Sequence, residues 1–157
     1  MKKFAVSSLM VAVFLAFMLG PTWQSTTVTA QDDIAFELLM GDPAKGEFSF
    51  SPDVITLKNK VTTTFRLKNV GQVVHELRSD LFRMFPFDIV IEGIGEVETV
   101  GIRDMDLDPG QEVLILFTPN ISGKVLTAGG GQFEWLLGCF IEGHYEAGMK
   151  GKIIVTQ

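Results

Sequence analysis

Short apolar runs separated by turn residues recur from residue 34 to the C-terminus, and that pattern predicts an all-β fold, a sandwich or a barrel. The clearest run is 61–68, where Val61, Thr63, Phe65 and Leu67 alternate with Thr62, Thr64, Arg66 and Lys68. A period of two places one set of side chains on a buried face and the other toward solvent. No internal repeat is present, and Gly129-Gly130-Gly131 is the one low-complexity tract.

Lys2-Lys3, the apolar stretch from Phe4 to Leu19 and Val28-Thr29-Ala30 form the three parts of a secretory signal. Residues 1–30 are therefore expected to be a signal peptide and 31–157 the domain, which is long enough for one sizeable core. The apolar stretch is short for a bilayer span, which leaves an uncleaved anchor as the lesser alternative. Ile34 to Met40 is the first strand, stopped by Gly41-Asp42-Pro43. Phe48, Phe50, Val54, Ile55 and Leu57 form a second run, broken by Pro52, which favours an edge or a bend. Val61 to Leu67 is the third, and Asn69-Val70-Gly71 turns the chain into Val73 to Leu77. Ser79 to Ile94 is the least strand-like segment. Ser79 or Asp80 can cap a short helix there through Met84, ahead of Pro86. Further strands are expected at Val97 to Arg103, Glu112 to Phe117, Gln132 to Gly138 and Lys152 to Thr156.

Charge narrows the partners. The chain has 13 Lys and Arg against 19 Asp and Glu, for a net charge of −6, and removing Lys2 and Lys3 with the leader makes it −8. An acidic domain repels phosphate backbones, so no nucleic-acid partner is expected. A basic redox partner would suit it, with electrostatics aiding encounter. Solubility alone also accounts for such a charge.

One cysteine and two histidines carry the chemistry. A lone cysteine in an exported chain has no internal disulfide partner and is exposed to oxidation unless ligated. Cys139 is followed by His144 after four residues and by Met149 after four more, with His75 far upstream. A thiolate, two imidazoles and a weak thioether are the donor set of a trigonal copper centre for electron transfer. The plain alternative is a small buried cysteine, an unrelated histidine and a core-filling methionine. Phe133, Trp135, Leu137 and Cys139 share one parity, so their strand is expected to aim Cys139 inward.

The run Phe133-Glu-Trp-Leu-Leu-Gly-Cys139, then Gly143-His144, Gly148-Met149 and Gly151-Lys-Ile-Ile-Val155, resembles the ligand strand, ligand loop and closing strand of the cupredoxins. Phe50-Ser-Pro52-Asp-Val-Ile-Thr-Leu57 and Asn69-x-Gly71-x-x-x-His75 resemble the early strands and first ligand of that family. The four-residue gaps are similar to the long-looped members, such as rusticyanin and auracyanin. The resemblance implies a Greek-key β-sandwich with a variable insertion after the first ligand strand. It also implies one copper ion on His75, Cys139, His144 and Met149, and one-electron transport outside the cytoplasm, in the periplasm or on the outer membrane face. In the family, the outer histidine edge lies in an apolar docking patch, for which Phe140, Ile141, Tyr145 and Ala147 are the candidates. Glu76 and Glu142 depart from the family pattern, which has Asn or Asp and Pro at those places.

Other classes fit less well. A binuclear copper site needs a second cysteine in the loop, and a multicopper oxidase or copper nitrite reductase needs more histidines. A Cys139–His144 hydrolase would leave His75 and Met149 without a role, so no enzymatic activity is expected. The alternatives are a periplasmic copper buffer and a non-catalytic subunit of a larger complex. In the latter case Glu92, Glu96, Glu98, Asp104, Asp106 and Asp108 could form a docking face, although such runs are more often simply solvated.

Overall fold

A computed structural model describes residues 34–91 and 95–157 of the chain. The expected leader, 1–30, lies outside the described residues, as do Glu92 and Ile94. Eleven strands and two short helices are present among the described residues: β1 Ile34–Met40, β2 Phe50–Ser51, β3 Val54–Lys58, β4 Thr63–Asn69, β5 His75–Leu77, α1 Asp80–Met84, β6 Pro86–Ile91, β7 Gly95–Val100, β8 Met105–Leu107, β9 Glu112–Phe117, α2 Gly123–Ala128, β10 Gln132–Gly138 and β11 Lys150–Thr156.

Two layers enclose one core. The first sheet runs β2-β1-β4-β9-β6-β7, with β1 and β4 parallel. The second contains β10-β11-β3, with β11 and β3 parallel. A separate antiparallel pair, β5-β8, is tied to β10 through Arg78 and Gly138, whose amides and carbonyls exchange two hydrogen bonds of 3.0 Å. That single bridge places the end of the His75 strand beside the end of the Cys139 strand.

Alternation drives the layering. In β4, Phe65, Leu67 and Asn69 are buried while Arg66 and Lys68 point outward, as the period of two requires. Ile55 and Leu57 of β3, and Ile153 and Val155 of β11, supply the facing layer. Each such side chain contributes about 1.5–3 kcal/mol on burial. On the outer face, Arg66 lies 3.7 Å from both Glu37 and Glu112, and Lys68 lies 3.1 Å from Glu112.

The region after β5 corrects an expectation. Its helix is present: Ser79 is the N-cap, its Oγ accepting from the Leu81 amide at 3.4 Å. Beyond it, however, Pro86–Ile91 is a strand, paired with both β7 and β9. Proline is tolerated because it is the first residue of that strand. Phe82 packs into the core with its ring centroid 5.2 Å from that of Phe117, and Phe85 packs against the core, whereas Met84 is 60% exposed and fills nothing. The strand expected over 97–103 begins earlier and ends at Val100, where Gly101 takes a φ of 73°.

Candidate metal centre

The first donor is positioned by a buried asparagine. Asn69 closes β4, and its side chain is fully buried. Its Nδ2 donates to the carbonyls of Val73 and Leu107, both at 2.8 Å, and its Oδ1 accepts from the Gly71 amide at 2.9 Å. These three bonds fold residues 69–75 back on themselves and clamp them to β8, which fixes where His75 begins β5. His75 pairs with Leu107 across that ladder and has no exposed surface.

The second and third donors come from one closed loop. Cys139 leaves β10, and its amide donates to the Met149 carbonyl at 3.1 Å. The amide of Met149 in turn donates to the His144 carbonyl at 3.0 Å. Inside the loop, Gly143 and Gly148 have φ of 84° and 110°, a region open to glycine and strained for other residues. Cys139 and Met149 are fully buried, while His144 is partly exposed. The expected parity of β10 holds at its inner end only: Leu137 is buried, Trp135 is partly buried, and Phe133 is exposed with its ring tilted on Trp135.

The structure brings His75, Cys139 and His144 together. One ligand atom from each lies within 4.8 Å of the others, and Cys139 Sγ is 3.2 Å from His144 Nδ1. The two imidazole centroids are 5.2 Å apart. His75 Nδ1 is buried and has no hydrogen-bond partner. An unpartnered buried nitrogen beside a thiol and a second imidazole is the arrangement a metal ion would complete, so the residues present fit the group that the donor set implies.

Burial sets the electrostatics. It pushes the Cys139 thiol above its ordinary range, against the opposing amides of Glu76 and Ile141. His75 is held below the usual imidazole value, again chiefly by burial, which outweighs the nearby Glu47 carboxylate. Glu76 is buried, and desolvation raises it even though its Oε2 accepts from the Phe140 amide at 2.6 Å. The Glu76 amide donates to Cys139 Sγ at 3.3 Å. Thus the departure at Glu76 has a role in this chain: its backbone touches the sulfur and its carboxylate anchors the residue after it. Asp104 and Asp106 lie close enough to act on the site, whereas Glu98 and Asp108 belong to the same exposed acidic stretch.

Two residues near the centre escaped the sequence reading. Phe48, at 40% exposed, sets its ring 4.8 Å from that of His144 and 6.4 Å from that of His75, covering both. Glu47 Oε1 lies 3.0 Å from His75 Nε2 and accepts from the amides of Gln72 and Val73 at 2.7 and 3.2 Å. Burial pushes the Glu47 carboxyl upward, but these donors outweigh it and hold it below the ordinary range. Of the expected apolar patch, Phe140 is exposed and stacks on Tyr145 with centroids 5.0 Å apart, with Arg78 over the Phe140 ring and Lys150 over the Tyr145 ring. This rim therefore mixes aromatic faces with cations.

No family model and no curated protein matches the chain. Solved structures do. A multicopper oxidase from Pediococcus acidilactici aligns at 12% identity over 81% of this chain and 27% of its own, with a TM-score of 0.56. The multicopper oxidase of Aquifex aeolicus aligns at 14% identity over 84% and 31%, with a TM-score of 0.55. A dithionite-reduced auracyanin from Roseiflexus castenholzii aligns at 19% identity over 78% and 96%, with a TM-score of 0.47. The chain spans less than a third of the length of either oxidase. At these identities the likeness to the two oxidases shows architecture alone: the fold is a cupredoxin-like β-sandwich, with the short helix α1 directly after β5.

Proposed function

We propose that His75, Cys139, His144 and Met149 hold one copper ion and that the chain carries one electron at a time between redox partners outside the cytoplasm. The observation behind this is the convergence of a thiol and two imidazoles within 4.8 Å, with the His75 Nδ1 lone pair buried and otherwise unused. Soft and borderline donors of this kind, joined by a thioether, suit mononuclear copper. Copper, when bound, would supply the one-electron couple.

The chain's own residues do the rest. His75, Cys139 and Met149 sit where water does not reach, on strands and a loop fastened to one another, so the donor positions are held by the fold. A preformed site need not reorganise when its charge changes. Of the four, His144 is the residue that is not fully buried, its ring lies 4.8 Å from that of Phe48, and it is the natural point of electron entry and exit. Both histidines of the chain belong to the trio, which leaves none for a second metal cluster and favours a carrier over an oxidase. The net negative charge supports a basic partner, and export rests on the leader pattern at 1–30.

Loading the purified protein with Cu(II) tests this. Intense visible thiolate charge transfer that bleaches on reduction and disappears in Cys139→Ser is expected. A colourless Cu(II) complex would refute it. Reversible voltammetry then separates an electron carrier from a copper buffer, whose reduction would be sluggish and accompanied by metal loss.

A further inference from the structure

Resting on that reading of the site, the geometry points to Glu47 as a positioning residue that holds His75 in the tautomer presenting Nδ1 and stabilises the oxidised form of the bound metal.

An ionised carboxylate only accepts hydrogen bonds. With Glu47 Oε1 at 3.0 Å, the His75 Nε2 must carry the proton, and the lone pair is then left on Nδ1, the buried atom that has no partner. The tautomer thus follows from one contact on the far side of the ring. Glu47 is itself locked, because the same oxygen accepts from the Gln72 and Val73 amides of the turn that Asn69 shapes.

The neighbouring backbone leaves room for this contact and little else. A Cβ on Gly71 would fall 2.8 Å from His75 Nε2 and collide with Glu47 Oε1. One on Gly41 would lie 2.6 Å from the Gly71 Cα and 3.0 Å from His75 Nε2. Two glycines from separate turns therefore converge on the outer edge of the imidazole, and the side chain that hydrogen-bonds there is the Glu47 carboxylate. A carboxylate behind a ligating imidazole raises its basicity and places negative charge near the metal. Both effects favour the more highly charged oxidation state. A neutral acceptor would fix the ring equally well without that bias.

Three variants separate positioning from packing. Glu47→Gln retains an acceptor of the same shape, so the visible spectrum should persist while the equilibrium between oxidised and reduced copper moves about tenfold toward the reduced form, or about 59 mV for one electron. Glu47→Leu removes the acceptor, and Cu(II) affinity should fall about 10–100-fold. Gly71→Ala, which leaves Glu47 in the chain but crowds it off the ring, should resemble Glu47→Leu. Nitrogen-15 NMR of the metal-free native protein should show His75 protonated on Nε2. A His75 protonated on Nδ1 in the native protein would overturn the proposal, as would an unchanged potential in Glu47→Gln. If the native protein bound no copper while His75 was still Nε2-protonated and Glu47→Leu lost that preference, the copper reading would fall and the assignment of Glu47 to the ring would stand.

Discussion

Replacing Asn69 by Ala is the sharpest test of how the first donor is placed. The change removes two donors and one acceptor that join Gly71, Val73 and Leu107. The bond to Leu107 is buried, and an orphaned buried carbonyl costs about 1–3 kcal/mol. Val73 is 41% exposed and Gly71 partly so, which lets water replace their lost partner. Those two bonds should then cost only their net value, about 0.5–1.5 kcal/mol each. The expected loss is about 2–6 kcal/mol, at least a sizeable share of the stability of an ordinary domain. Urea unfolding of the metal-free protein should show a lowered midpoint with an unchanged slope, since the same surface is exposed. Copper affinity should fall too, because the 69–75 turn no longer fixes the start of β5. A loss below about 1 kcal/mol with native metal affinity would refute the idea that this side chain sets the position of His75.

Other expectations are independent of that turn. The raised Cys139 thiol must lose its proton on ligation, so copper affinity should rise about tenfold per pH unit below the thiol pKa, and competition titrations that showed no pH dependence would contradict a thiolate ligand. Glu76 has a folded pKa above its ordinary 4.5, so its contribution to stability is greatest at low pH and is lost as pH rises through that shifted value. Glu76→Gln should therefore gain stability relative to the native protein at pH 7 and not at pH 4, as urea midpoints at the two values will show. Arg66→Met should change stability by less than about 0.5 kcal/mol, because solvent-screened pairs at 3.7 Å with a partly exposed arginine are worth little.

How much was legible without coordinates depended on how local the signal was. β1, β9 and β10 begin and end where their apolar runs do, because each run is long enough to show its period and is bounded by Gly, Pro or a turn. β8 has only three residues and no readable period, although it is the strand against which His75 is held. α2 was missed for the same reason, its six residues being followed by three glycines. Pro86 masked β6, since a proline reads as a break until its place at the first residue of the strand is known. His75, Cys139 and His144 were legible because their side chains are chemically rare in this chain. Glu47 was not, because a single glutamate between Gly46 and Phe48 looks like any solvated loop acid. Its role comes from a contact across 28 residues, which only the folded turn brings about.

X-ray absorption at the copper edge of the loaded protein addresses the central claim most directly. One short copper–sulfur distance from Cys139 together with two imidazole shells is the predicted result, with the sulfur contribution lost in Cys139→Ser. A coordination sphere of nitrogen and oxygen alone in the native protein would contradict the site as described.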